Sequence, residues 1–264
     1  MKQNYLIWML AALLLPGTLL FAKEAKNASP AKITRPEILC PLKPDPPPII
    51  DGDRREWERV PSSIPVTERN VTWGKAKWKD EEDLSGTVSL SYDQNYLYLL
   101  VEVVDEKIIV DDSKFFNTDH VELSFVPFLD EKATGALPKD SLFVFGFTPG
   151  TPEKTGDALL DVEACASMVF PPNQPWKGVD VESSFTEEGY ILEARIPWSV
   201  LRVKPNMVKV GQVFGIDVHI SDSDSGKTQE TMTSLNHLTP WKGRRWENMP
   251  RMVLTGTDGK KPTK

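Results

Sequence analysis

Much of the chemistry that marks an enzyme is scarce in this chain of 264 residues. Two cysteines and three histidines are too few for a disulfide-dense scaffold or a multi-histidine metal centre. No basic run exceeds Lys260-Lys261 and the net charge is −7, so an electrostatic footprint for nucleic acid or anionic lipid is missing. The sequence lacks G-x-S-x-G, H-E-x-x-H, C-x-x-C and a glycine-rich phosphate loop, which removes the common nucleophile, zinc, redox and nucleotide motifs. Amphipathic helical periodicity is nearly absent as well. With 40% hydrophobic and 26% charged residues, the remainder still supports one globular domain with appendages.

Met1 to Ala22 reads as a secretory signal: Lys2, the apolar run Tyr5 to Leu15, the Pro16-Gly17 break and a cut after Ala22. The alternative is an uncleaved anchor, for which the apolar stretch is marginal in length. Export sets the working compartment outside the cytoplasm, secreted or periplasmic. In such a compartment Cys40 and Cys165 are expected to pair as a disulfide; the alternative is two unrelated thiols, with Cys165 in a strand. Residues 23–48 end in Lys43-Pro-Asp-Pro-Pro-Pro48 and read as an extended, proline-rich leader. Residues 256–264 form a polar tail, which leaves 49–255 as the folded domain.

Within 49–255, short segments of period two recur between turn signals. They are Thr87–Tyr92, Tyr96–Val104, Val121–Phe125, Phe143–Phe147, Tyr190–Ile196, Phe214–Ile220 and Met252–Leu254. Asp93-Gln-Asn95 joins the first two as hairpin chemistry. Strands at this spacing without a long amphipathic helix predict an all-β antiparallel two-sheet sandwich of the jelly-roll or immunoglobulin-like kind.

Two residue classes stand out. Asp105, Asp111, Asp112 and Asp119 crowd one stretch between strands, and such oxygen donors suit calcium; the alternative is a solvated acidic loop. Asp222-Ser-Asp-Ser-Gly226 reads as a hairpin turn rather than a calcium loop. Trp73, Trp78, Trp176, Trp241 and Trp246 lie in loop-like surroundings, where an indole reads as a recognition surface suited to the C–H faces of sugars.

The order of segments resembles family 9 carbohydrate-binding modules. The carriers are Ile49 to Trp57, Val88 to Asp105, Phe116-Asn-Thr-Asp-His-Val-Glu-Leu-Ser-Phe125, Gly189 to Trp198, Gly215 to Asp222 and Trp241 to Leu254. The resemblance implies a β-sandwich that grips a sugar between Phe116 and Trp241 beside the Glu122 carboxylate, with structural calcium at Asp105; Asp119, from the acidic stretch, is the second calcium candidate. It also implies core positions for Trp57 and Trp198. The sequence departs from the family in three places: Phe143-Val-Phe145 carries no sugar-binding arginine, the first ring is Phe rather than Trp, and Thr233-Ser-Leu235 lacks an aromatic.

The leading reading is therefore an exported, non-catalytic domain for a poly- or oligosaccharide. A haem-binding electron-transfer domain of the same fold is the alternative, with axial ligands drawn from His120, His219 and His237 and from Met168, Met207, Met232 and Met249. A glycosidase and a structural sandwich without ligand are the remaining readings.

Overall fold

The computed structural model describes residues 35–261 except 131, 157–160 and 173–175. The expected signal, residues 1–22, and the start of the leader lie outside the described residues.

The strands form two sheets. In chain order they are β1 (Glu37–Pro41), β2 (Ile64–Val66), β3 (Val71–Trp73), β4 (Ser85–Tyr92), β5 (Tyr96–Val104), β6 (His120–Val126) and β7 (Phe143–Thr148). Then follow β8 (Cys165–Phe170), β9 (Asp180–Phe185), β10 (Gly189–Pro197), β11 (Val213–Asp222), β12 (Thr231–Thr233) and β13 (Arg251–Thr255). The larger sheet runs β1-β13-β11-β6-β7-β8, with β12 on β11 and β3 on β12; the smaller runs β2-β4-β5-β10-β9. Pairing is antiparallel apart from β1 on β13. One α-helical turn, α1 (Pro240–Gly243), precedes β13.

The sandwich closes because alternate residues of both sheets are apolar. Val88, Leu90, Leu97, Leu99 and Val101 of the smaller sheet meet Val121, Leu123, Phe125, Phe145, Ile216 and Ile220 of the larger one in a continuous core. Trp198 belongs to that core. Trp57 is also buried, in a satellite cluster on the smaller sheet, where its Nε1 donates to Glu193 Oε1 at 2.6 Å. The Asp93 carboxylate accepts from the backbone N–H of Asn95 (2.7 Å) and Tyr96 (2.8 Å), which tightens the β4–β5 hairpin.

Two expectations need correction. The leader is not wholly separate from the domain: Ile38 and Cys40 of β1 point into the core, and Leu42 bridges to Tyr92 of the other sheet. Proline at 36 and 41 only brackets this edge strand, where a missing N–H is tolerated. Nor does the Cys40–Cys165 disulfide exist. β1 and β8 are the two ends of the larger sheet, five strand steps apart. Steps of ~4.8 Å put them roughly 24 Å from each other, against the ~4.4–6.8 Å between Cα atoms that a bridge needs.

Candidate functional site

The alternation that fills the core also builds the site. With Val121, Leu123 and Phe125 turned inward, His120, Glu122 and Ser124 point to the outer face of β6. On β11 the same logic sends Asp217, His219 and Ser221 outward, and register sets His219 opposite Glu122 and Ser221 opposite His120. An outer sheet face normally meets water, yet all six of these polar residues are buried. Two segments cover them.

The first cover is the 3-10 turn Asp112–Asn117, which carries Phe115 and Phe116. Phe115 lies 4.2 Å from His120, centroid to centroid, and rests on Gly146 of β7, where an added Cβ would come within 2.3 Å of its Cζ. Phe116 packs edge-on against Phe115 at 5.2 Å and keeps 54% of its surface exposed. The second cover is residues 234–244. Ser234 Oγ donates to Asp217 Oδ2 (3.1 Å) and the Asn236 backbone N–H to Asp217 Oδ1 (3.3 Å). α1 then displays Trp241, 58% exposed, and Arg244 turns back so that Nη2 meets Glu122 Oε2 at 3.3 Å.

Glu122 thus sits beneath two segments that each present an exposed ring. Around it, His120 Nδ1 stands 2.7 Å from the Thr118 carbonyl, leaving Nε2 4.0 Å from Glu122 Oε1. Burial pushes the His120 imidazole down, toward its neutral form. Burial also acts to lower His219, but the Asp217 carboxylate, 3.1 Å away, outweighs it and leaves that imidazole raised. His120 Nε2, His219 Nδ1, Asn236 Nδ2 and Arg244 Nε are shielded and have no protein hydrogen-bond partner. Buried polar groups are nearly always paired, so such a cluster marks a place for a polar ligand.

A guanidinium nevertheless reaches Glu122. The outward β7 positions are Val144 and Gly146, whereas Arg244 brings a guanidinium from the opposite side. Its sequence signal is its spacing of three residues from Trp241, about one helical turn.

Of the other tryptophans, Trp73 and Trp176 are exposed; Trp176 lines a separate groove of about 610 Å³ with Ile49, Cys165, Asp180 and Arg195. Trp78 and Trp246 are half-buried and packed against the interior rather than displayed. Trp78 packs on the main core and donates Nε1–H to the Leu84 carbonyl at 2.9 Å, and Trp246 packs on the Val126–Met249 cluster. The histidines and methionines weighed as haem ligands are engaged elsewhere. His120 and His219 line the Glu122 face, His237 Nδ1 lies 2.9 Å from the Arg69 carbonyl, Met232 and Met249 are buried, and Met168 and Met207 pack against the core.

The acidic stretch divides. Asp111 caps the 3-10 turn, accepting from Ser113 N (2.9 Å) and pairing with Lys114 (2.8 Å). Asp105 and Asp119 instead converge with Asp222, their oxygens within 4.8 Å of one another and all three residues buried. Asp222 also belongs to the predicted hairpin turn, because β11 and β12 do pair there. Burial pushes all three carboxylates up, Asp222 to about 7; the Asp105 charge adds to the rise at Asp119 and Asp222, and Glu106 and Asp224 add to it at Asp105. Asp105 Oδ2 has no protein partner, nor has the buried Tyr190 hydroxyl, which feels the charge of all three. A shielded trio of hard oxygen donors fits a calcium ion. A neighbouring cage of Asp83, Glu106 and Asp224 is filled by the Lys79 ammonium, at 2.8, 2.7 and 2.8 Å.

Residues 50–255 match the family described as carbohydrate family 9 binding domain-like. The chain belongs to this family. Two curated relatives are similar to the family 9 domain: endo-1,4-beta-xylanase A of Thermotoga maritima, 26% identical over 67% of this chain, and exoglucanase XynX of Acetivibrio thermocellus, 23% identical over 79%. The matches span only 14% and 16% of those relatives' lengths. Among solved structures, a family 9 carbohydrate-binding module from Caldicellulosiruptor kristjanssonii has the same fold in complexes with cellotriose and with glucose. The cellotriose complex gives a TM-score of 0.59 at 16% identity, covering 84% of this chain and 94% of that one. The glucose complex gives 0.61 at 17%, covering 84% and 96%.

Proposed function

We propose that this domain binds the sugar units of a poly- or oligosaccharide, without catalysis, between Phe116 and Trp241 and above Glu122. The observation that carries the reading is the exposed pair of rings on the two segments covering a buried Glu122 paired with a half-buried Arg244, with unpartnered polar atoms around it. The rings supply apolar faces for the sugar C–H surface, and the carboxylate and guanidinium supply an acceptor and donors for its hydroxyls. Covering about 100 Å² of sugar contributes roughly 2.5 kcal/mol. Hydrogen bonds to charged groups add about 1.5–3 kcal/mol each. Against ordering costs, this yields micromolar to millimolar affinity.

The reading includes calcium at Asp105, Asp119 and Asp222. The ion would supply positive charge to three buried carboxylates and tie the start of β6 to the end of β11. Asp119 is three residues from Phe116, so the same tie would steady the first ring. The family relationship and the expected signal support action outside the cytoplasm; among the described residues no helix is long and apolar enough to cross a membrane.

Titration calorimetry of the folded protein with xylan, cellulose and their oligomers tests the proposal. Saturable heat that disappears in Trp241→Ala supports it, and no heat with any saccharide would sink it.

A further inference from the structure

Trp73 takes no part in the grip described so far. It ends β3 with 46% of its surface exposed, and its ring centroid lies 5.6 Å from that of Trp241, the planes at 80°. Two half-exposed indoles held side by side need a reason, since packing alone would bury them.

The surrounding backbone fixes the pair. Trp73 is opposite Met232 in the β3–β12 ladder. Asn70 Nδ2 donates to the Ser234 carbonyl at 3.0 Å, and the Ser234 N–H donates back to the Asn70 carbonyl at 2.9 Å. His237, in a left-handed conformation at φ 58°, reaches the Arg69 carbonyl from the loop that leads to Trp241. Such a backbone persists in a non-glycine residue only where its surroundings hold it. Gly74 has φ 67°, and a Cβ there would approach the Glu230 carbonyl oxygen to 1.8 Å, so the chain turns away tightly just after the ring. The segment bearing Trp73 is thereby fastened to the segment bearing Trp241.

We infer that Trp73 is a second stacking platform, for the sugar unit next to the one held at Trp241; this rests on the saccharide site proposed above. Planes at 80° cannot both lie along the faces of a flat ribbon, as in cellulose. They fit a chain whose sugar planes rotate from unit to unit, as in xylan.

Calorimetry with xylose, xylotetraose, glucose and cellotetraose on the full chain, Trp73→Ala, Trp73→Phe and Trp241→Ala tests this. The unaltered protein is expected to bind xylotetraose about tenfold more tightly than xylose, and more tightly than cellotetraose. Trp73→Ala should erase the gain with chain length while leaving xylose within about twofold, and Trp73→Phe should keep part of it. Trp241→Ala should weaken every sugar. Equal weakening of xylose and xylotetraose by Trp73→Ala would show that Trp73 only props Trp241, and an unchanged xylotetraose affinity or a preference for cellotetraose would also overturn the inference. Binding of no sugar by the unaltered protein would remove the site itself, an outcome distinct from the loss of the second platform alone.

Discussion

Arg244 reaches Glu122 from outside the sheet, Nη2 to Oε2 at 3.3 Å, and so places a guanidinium over a carboxylate that the β6 strand alone would leave without an opposite charge. If both groups bond sugar hydroxyls, neutralising either has a defined cost. Glu122→Gln and Arg244→Met are each expected to weaken saccharide binding by about 10- to 100-fold, the equivalent of roughly 1.5–3 kcal/mol. Calorimetry measures the loss, and an unchanged near-ultraviolet circular dichroism spectrum shows that the fold persists.

The exposed rings predict opposite responses to enlargement and truncation. Trp241→Ala removes a stacking face and should reduce affinity by about tenfold or more. Phe116→Trp enlarges the opposite face at a position that is 54% exposed, and should raise affinity several-fold. Loss of affinity in Phe116→Trp would argue against a sugar held there.

Gly146 offers a test that leaves both rings and the acid intact. Its absent Cβ makes room for Phe115, which in turn supports Phe116. Gly146→Ala should push the Phe115 ring off the sheet, destabilise the domain by about 1–3 kcal/mol and weaken sugar binding through the displaced Phe116. Thermal melting and calorimetry separate the two effects.

The carboxylate trio makes stability depend on pH in a direction opposite to the usual one. Burial raises Asp222 from 3.8 to about 7, and burial and repulsion raise Asp105 and Asp119. Raised carboxylates keep protons in the folded state that the unfolded chain has already released. Without metal their contribution to stability is present below the unfolded value of about 4 and declines as pH rises through the folded values. Calcium should reverse the decline, raising Tm by about 5–10 °C near pH 8 when saturating and by less near pH 5. Melts in EDTA and in calcium across this range check the sign, and Asp119→Asn should abolish the calcium response.

Cys40 and Cys165 should both titrate as thiols in the unfolded protein, and a reductant should leave Tm unchanged. In the folded state Cys40 should be inert, since it is fully buried and its thiol is pushed well above the ordinary value. Thiol counting before and after denaturation measures both.

The long strands were legible because Leu97, Leu99 and Val101, or Val121, Leu123 and Phe125, alternate with residues of another character. β12, three residues long, and β9, with Ser183 between Val181 and Phe185, carry too little contrast to stand out. Glu122 and the two rings could be named only from the resemblance, since nothing in their local spacing relates Phe116 to Trp241. Arg244, Asp217 and Asn236 were not legible, because their importance comes from a loop folding over β11 and nothing local announces it. Asp222 was hidden by its second role in a turn. The cysteine pairing failed for a related reason: strand order in a sheet is not written in the spacing of two thiols. Trp78 and Trp246 show that a polar neighbourhood does not say which way an indole points.

On β6, neighbouring residues answer to different demands. Val121, Leu123 and Phe125 secure one layer to the other, while His120, Glu122 and Ser124 look the opposite way. Preference for one saccharide over another can therefore drift at every second position, by natural variation or by a library, while the intervening residues conserve the architecture.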